Sequence, residues 1–356
     1  MPTLTREDIV TITDAMLRAG GAPSGHASTV ANHLADANFA GHDSHGFIRI
    51  PQYMSAIKDG SLDPRAEPEI VGDSAATAQI DGHGTFGQVV CTMATKLAID
   101  KAREYGISLV AMGNLDHTGR LGTYPEMAAR EGMAAIMFTG GFSPKTGHVA
   151  PFGGRTGRLG TNPISMGFPD SDGAPLLLDF ATSIAAEGKL RLYRNRGYPL
   201  PGEWLVDKDG APTNDPNAYY EGGALLPLGG ATGGHKGYAL SVMVVLFGGL
   251  LGQAATPQTA RADSWDGSSI LVIDLGRMSS SLDIGPPVKE MTRQLRETPT
   301  AEGFDAVLTP GEVETNARRD RLANGVIVDQ ATWDQVSGLF EEYGVAKELA
   351  GVGQGG

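Results

Sequence analysis

The chain has 356 residues, a formal net charge of −13 and a single cysteine, Cys91. The acidic balance argues against a nucleic-acid partner, which would need a basic face, and one cysteine excludes an internal disulfide or a multi-cysteine metal site. The length predicts two lobes, or one domain with a large excursion. The 50 glycines cluster in stretches such as TGGFSPKTGHVAPFGGRTGRLGTNP and PLGGATGGHKGYAL, which suit tight turns and close backbone approach to a ligand.

The N-terminus, MPTLTREDIVTITDAM, carries acids early and has no apolar stretch of the secretory kind. Together with the lone cysteine this predicts a reducing, cytoplasmic setting. Thr5 and Asp8 have capping-box spacing ahead of a helix to Arg18, which Gly20 and Gly21 stop. Ser24 is expected to cap a second helix to about Phe39. GHDSHGFIRIPQYMSAIKDG then reads as a polar turn leading into a third helix.

Ala76 to Ile80 reads as a strand entering a glycine turn, DGHGTFG. A helix from about Val89 to Tyr105 follows, ended by Gly106. Ile107 to Met112 is a buried strand, and Pro125 suits a first helical position. Glu126 to Arg130 completes that short helix, and Met133 to Phe138 is the next strand. Pro175 to Asp179 is a further short apolar run. Residues 193–235 read as turn-rich and mostly irregular. Tyr238 to Leu251 is expected as a buried core helix rather than a membrane span, because glycines interrupt it. Ser269 to Leu275 is a strand, Thr309 to Glu312 a capped helix start, Thr332 to Tyr343 an amphipathic helix, and VGQGG a frayed end. Helices at both ends and strands between them predict a helical lobe made from both termini, beside a mixed-sheet lobe.

Five motifs are candidates for chemistry. GHGTFG at 82–87 matches the dinucleotide pattern G-x-G-x-x-G, but Met112-Gly113-Asn114 lacks the acidic residue that should close the next strand. A structural turn, or a ligand-facing loop of another fold, explains it better. His42, His45 and Arg49 would share a helical face. They suit a zinc site, local capping, or an anion-binding corner with Arg49 gripping a carboxylate. His117 follows a buried strand and has the intrinsic pKa to trade protons near neutrality. Lys236, among glycines before a helix, suits a phosphate. Asp179-Phe180-Ala181-Thr182-Ser183 ends a strand with side chains that can cap a helix or hold a nucleotide.

Taken in order, GHDSHGFIRIPQY, GHGTFG, NLDHTGRLGTY, APFGG, LGTNPISMGFP, LLLDFATS, GEWLVDKDGAPTNDP and GGHKGYAL resemble the malate/L-sulfolactate dehydrogenase family, the type-2 malate/L-lactate dehydrogenases. Ureidoglycolate dehydrogenase, 2,3-diketo-L-gulonate reductase and Δ1-piperideine-2-carboxylate reductase are among its relatives. The resemblance implies an α+β fold whose nicotinamide-binding domain is non-Rossmann, with a mainly antiparallel mixed sheet. The expected bounds are 75–285 for that domain and 1–74 with 286–356 for a helical domain.

The resemblance also implies an NAD(P)-dependent oxidoreductase, using NAD or NADP, that acts at C2 of a small 2-hydroxy or 2-oxo acid or cyclic imino acid. Neither nucleic acid nor membrane is an expected partner; a second copy of the chain is. His117 becomes the acid/base residue, and Ser44, His45, Arg49 and Tyr53 the contacts for the substrate carboxylate. Thr161, Asn162, Pro163, Asp179, Phe180, Ala181 and Lys236 become cofactor contacts, with no metal expected. Lys145, Arg191 and Arg194 are candidates to meet a 2′-phosphate. Asp116, where the family often has a small residue, would raise the proton affinity of His117 unless it points away. The match loosens after Ala255, where SWDGSSILVIDLGRMSSS lacks an arginine that some relatives place near Trp265. Two alternatives accompany this reading: a zinc-dependent hydrolase using His42, His45 and His117, and a non-catalytic nucleotide-binding relative.

Overall fold

The computed structural model describes residues 1–143, 147–170, 174–253, 265–278, 283–346, 349 and 351; the VGQGG end lies outside them. Strand β1 (Thr3–Leu4) precedes helices α1 (Arg6–Ala19), α2 (Ser24–Phe39) and α3 (Ile50–Asp59). Next come β2 (Glu69–Asp73), β3 (Thr77–Thr85), α4 (Gly87–Tyr105), β4 (Ile107–Leu115), α5 (Thr123–Arg130), β5 (Met133–Phe142), β6 (Pro163–Phe168) and β7 (Leu176–Ala181). After them run α6 (Glu187–Arg196), β8 (Leu205–Val206), β9 (Pro212–Thr213), α7 (Asn217–Tyr220), β10 (Ala224–Leu225) and α8 (Gly230–Val244). A π-helical turn (Val245–Leu250) continues α8 into α9 (Leu251–Gln253). The chain ends through β11 (Trp265–Asp274), α10 (Leu275–Met278), α11 (Gly285–Arg296), α12 (Glu312–Asn324), β12 (Val326–Ile327), α13 (Gln330–Ser337) and α14 (Leu339–Glu342).

The main sheet has seven strands in the order β2-β3-β4-β11-β5-β6-β7. Only β3 and β4 run parallel; every other neighbouring pair is antiparallel. A parallel pair needs a crossover, and α4 supplies it. Alanines on the inner face of α4 (Ala94, Ala98, Ala102) let it lie close on Ile80, Val110, Met112, Ile270 and Val272. A second core is assembled from both chain ends. Leu4, Ile9, Ile12 and Met16 pack with Leu34, Phe47 and Tyr53, and with Val326 and Val336 from the far end. The pairing of Leu4 with Val326 closes that arrangement.

Several local expectations hold. The capping box forms: Thr5 Oγ1 accepts from the Asp8 amide at 3.1 Å, and Asp8 accepts from the Thr5 amide at 2.9 Å. Gly106 ends α4. Others need correction. Pro23, not Ser24, occupies the N-cap of α2, and no side chain caps it. The helix at 123–130 starts at Thr123, so Pro125 is its third residue. The GHG segment is not a turn leaving a strand but the end of β3, with its register to β4 shifted between Asp81 and Thr85. Strand β6 lies in LGTNPISMGFP, which carried no expected element. The 193–235 stretch contains three short strands, a short helix and the beginning of α8. The expected Thr332–Tyr343 helix is two short helices.

The apolar run at 238–251 is helical but not a core helix. Ser241, Val244, Val245, Gly248 and Gly249 are buried, whereas Met243, Leu246, Phe247 and Leu250 are exposed. Small residues let the helix press onto β5 while its bulky side faces outward: a Cβ on Gly140 would sit 2.4 Å from the Val244 carbonyl oxygen. Among the described residues no helix is long and apolar enough to cross a membrane.

A buried ion cluster ties the C-terminal helices to the sheet. Arg318 on α12 grips both oxygens of Glu126 on α5, each at 2.7 Å. Arg130 reaches the same carboxylate at 2.7 Å, and the buried Arg120 reaches it at 3.3 Å. These cations outweigh burial and hold the Glu126 carboxyl at about 2. Removing one partner of a buried charge cluster leaves the others uncompensated. Glu126→Ala should therefore lower unfolding free energy by about 3–5 kcal/mol at neutral pH in urea titrations. The folded-state pKa is depressed, so this contribution is complete above about 4.5 and fades as pH falls toward about 2. A variant as stable as the wild type would contradict that role.

Candidate active site

His117 lies two residues beyond the end of β4. The Asp116 amide donates to the Thr85 carbonyl at 2.9 Å, which keeps the loop at the sheet end. Two glycines let it pack there. A Cβ on Gly87 would lie 2.3 Å from the Asp116 carbonyl oxygen, so the loop sits directly on the start of α4. Gly119 has φ +74, and a Cβ on it would lie 2.2 Å from His33 Nε2. That imidazole accepts the Arg120 amide at 2.9 Å, fastening the loop to α2.

From the helical side, the buried Tyr53 on α3 brings its hydroxyl 2.8 Å from His117 Nδ1. Gln88, in the first turn of α4, bonds the same hydroxyl through Nε2 at 2.6 Å. His117 Nε2 makes no hydrogen bond among the described residues. The His45 ring stacks on His117 at 5.5 Å and 19°, and Ser44 Oγ lies 3.0 Å from His45 Nδ1. Arg49 donates from Nε to the Ser44 carbonyl at 2.6 Å and from Nη1 to Gln52 at 2.6 Å. Ser44, His45, Arg49, Tyr53 and His117 thus form one cluster. The expected single helical face does not exist, however. His42 to Arg49 fold as two short 3-10 turns, Asp43–His45 and Phe47–Arg49, separated by Gly46.

Burial dominates the electrostatics. It holds the proton affinity of His117 well below the ordinary histidine value, and the charges of Arg49, His45 and His33 push the same way. His45 is lowered to about 4 by burial, then by Arg49, His42 and Arg120. His33 is lowered to about 3 by burial, then by Arg120 and His45. Burial raises the Tyr53 phenol, so it stays a neutral hydrogen-bonding group. Asp116 does not raise the proton affinity of His117. Its carboxylate accepts the His117 backbone N–H at 2.6 Å, and burial raises its own pKa.

Beside His117 opens a cleft of about 290 Å³. Its walls include Gly140 and Gly141 of β5 and the segment Thr161, Asn162 and Pro163. Asn162 sits at φ 42, and its side chain is fully engaged. Oδ1 accepts from the Gly141 amide at 2.8 Å, and Nδ2 donates to Ser241 at 2.9 Å. It braces the cleft wall rather than reaching into it. Phe180 and Ala181 are one strand away, paired with Ile164 and Pro163. Asp179 turns the other way and accepts the Gly122 amide at 2.7 Å, with Arg120 beyond at 4.0 Å. Lys236 is exposed on α8 and does not line the cleft. Arg191 is paired with Glu187 at 2.7 Å, and Arg194 bonds Asn217 and lies over the Tyr220 ring. Lys145 lies outside the described residues.

Two features escaped the sequence reading. Gln88 directly follows GHGTFG, and only the fold brings it to Tyr53. The start of α6 meets the Ser44 turn: a Cβ on Gly188 would lie 3.9 Å from Ser44 Cβ. The zinc alternative is not favoured. His42 Nε2 is 3.2 Å from Glu314, and among the described residues no three His, Cys, Asp or Glu side chains converge as ligands.

The site thus sets an imidazole anchored through one nitrogen beside an arginine and on the wall of a cleft. Residues 4–337 match the model of the malate/L-lactate dehydrogenase family. The chain is 35% identical over 339 residues to hydroxycarboxylate dehydrogenase B of Escherichia coli (strain K12), covering 94% of this chain and 92% of that protein. Malate dehydrogenase from Entamoeba histolytica has a similar structure, with a TM-score of 0.87 at 29% identity, covering 96% of this chain and 98% of that one. Δ1-Piperideine-2-carboxylate reductase from Pseudomonas syringae pv. tomato is also similar, with a TM-score of 0.81 at 31% identity over 95% of this chain and 100% of that one. The chain belongs to the malate/L-lactate dehydrogenase family and is a nicotinamide-dependent oxidoreductase of small hydroxy or oxo acids.

Proposed function

We propose that the enzyme interconverts a small 2-hydroxy acid and its 2-oxo acid, or a cyclic imino acid and its reduced form, with His117 giving and taking the proton. The observation that carries this is the Tyr53 hydroxyl on His117 Nδ1, which leaves Nε2 unbonded at the cleft mouth. Arg49 binds the substrate carboxylate, with Ser44 and His45 beside it, and so orients C2 toward the cleft. Because burial and Arg49 disfavour the imidazolium, the free site holds neutral His117, ready to accept a hydroxyl proton. An anionic substrate on Arg49 offsets that repulsion, so the carboxylate itself raises the proton affinity of His117.

The dinucleotide lies along the cleft. Gly140, Gly141, Gly160 and Gly267 would leave room for its flat rings, and Thr161, Asn162 and Pro163 would supply contacts along the wall. Phe180 and Ala181 extend this wall. Asp179 acts from behind by fixing Gly122, and Lys236 meets a phosphate at the outer end. The nicotinamide supplies or takes the hydride. Either NAD or NADP is the partner, and parallel NADH and NADPH assays assign it.

Residues 75–285 form the cofactor-binding unit, of non-Rossmann build, and 1–74 with 286–356 form the helical unit. The mainly antiparallel sheet and the core shared by both chain ends support this division. The enzyme works in the cytoplasm, a setting in keeping with its one buried thiol, Cys91. It is a homodimer that covers the stripe of Met243, Leu246, Phe247 and Leu250. Sedimentation of a monomer at micromolar concentration would refute the dimer.

Two substitutions separate proton transfer from binding. His117→Asn should lower kcat/KM by about 10²- to 10⁴-fold while the Kd for the dinucleotide holds. Arg49→Gln should act through substrate binding, costing about 10- to 150-fold in kcat/KM, the size of a lost charged hydrogen bond. The panel is pyruvate, oxaloacetate, sulfopyruvate, diketogulonate and cyclic imines, with steady-state rates in both directions. Near-wild-type turnover in His117→Asn would reject the assignment.

A further inference from the structure

We propose that Gln88 is a positioning residue that selects the productive tautomer of His117, by presenting its carbonyl oxygen to the Tyr53 hydroxyl. This rests on the reading of His117 as the proton-transfer group. It begins from a chain of three buried or half-buried groups: Gln88, Tyr53 and His117, joined at 2.6 and 2.8 Å. Gln88 and Tyr53 are both fully buried, so no bulk water relieves an ill-matched bond.

A phenol has one proton, and its direction sets everything downstream. If the Gln88 amide NH₂ faces Tyr53, the hydroxyl proton goes to His117 Nδ1. Neutral His117 then carries its own proton on Nε2. That tautomer cannot accept a proton from a substrate hydroxyl. It also cannot donate one without becoming an imidazolate, or without drawing the proton from Tyr53, which burial opposes. If instead the amide is turned by half a rotation, its oxygen accepts the Tyr53 proton. Tyr53 then accepts from Nδ1–H, and Nε2 is free. The hydroxyl proton of the substrate moves to Nε2 as the hydride leaves C2, giving an imidazolium still held at Nδ1. The reverse step returns the same proton. Only this arrangement keeps Nδ1 protonated through both states.

With NH₂ toward Tyr53, Oε1 is buried and has no hydrogen-bond partner among the described residues. Turning the amide gives that oxygen the Tyr53 proton and puts the NH₂ in the partnerless place, so either orientation leaves one end unpaired and the tautomer that proton transfer needs decides between them. The Gln88 backbone is held, because it follows Gly87, whose Cα lies against the Asp116–His117 main chain. Gln88 therefore moves with the loop that carries His117. Other charged or titratable groups facing His117 are His33 on α2, His45 and Arg49 on the 3-10 turns, and Asp116 beside it. None of them bonds Nδ1, so the tautomer is chosen through Tyr53.

The test is ¹⁵N NMR of the full-length enzyme labelled in histidine, with the His117 signals identified by their loss in His117→Asn. The chain has 8 histidines, few enough to resolve. In the wild type above its midpoint, His117 should be protonated on Nδ1. In Gln88→Met the Tyr53 proton has only Nδ1 to go to, so the population should move to Nε2–H. Oxidation kcat should fall about tenfold at unchanged KM. Gln88→Glu, which can only accept, should keep the Nδ1–H form and most of the turnover, and should move the acid limb of the rate profile upward. A wild-type Nε2–H tautomer, or an unchanged tautomer in Gln88→Met, would overturn the inference. If His117→Asn stayed active, the functional reading would fail instead, and the NMR result would be unaffected.

Discussion

The partly buried hydrogen bond between Tyr53 and His117 Nδ1, 2.8 Å long, joins the helical core to the loop that leaves the sheet. Tyr53 belongs to the core built from both chain ends, and His117 to the loop leaving the sheet. A side chain fixed at one ring nitrogen can present the other only in one direction. The bond thus converts the docking of the helical layer on the sheet into a single orientation for the imidazole. Gly87 and Gly119 permit the close packing behind it, and the Glu126–Arg318 pair holds the far side of the same junction. Losing any of these would be felt at His117 before it was felt as a missing contact with substrate.

Electrostatics and geometry then divide the work. Burial and three cationic or potentially cationic neighbours keep the histidine neutral in the free site. Arg49 is both the origin of part of that pressure and the natural counter-ion for a carboxylate. In the proposed mechanism, binding and proton affinity are coupled through this one guanidinium: a carboxylate on Arg49 raises the proton affinity of His117. The cleft beyond combines glycines with polar side chains such as Thr139, Thr161 and Ser268, and Asn162 spends both ends of its amide bracing the wall.

Much of this was legible in the chain. The capping box at Thr5 and the strand at 107–112 could be read because their signals are local, and Ser44, His45, Arg49, Tyr53 and His117, which the family resemblance implied, lie together in the structure. What was not legible depends on contacts between distant segments. Gln88 looks like an ordinary helix residue until α3 is packed against α4. The 238–251 run has a core helix's composition, but its glycines face the sheet and its large side chains face out, a distinction that hydropathy cannot make. The polar turn before α3 is there, but His42, His45 and Arg49 do not share a helical face, because Gly46 separates two 3-10 turns. The zinc alternative needs His42 on that same face, and His42 instead lies 3.2 Å from Glu314.

The most direct test is the pH dependence of kcat/KM for oxidation of the best hydroxy acid, between about pH 4 and 9, in the wild type and in His117→Asn. Neutral His117 is the required form in this direction. The wild-type value should be level at neutral pH and fall tenfold per unit on the acid side, with its midpoint below the ordinary histidine value of 6.5. In His117→Asn the residual rate should lack that limb. The same acid limb in both enzymes, or a wild-type profile with none, would contradict the account.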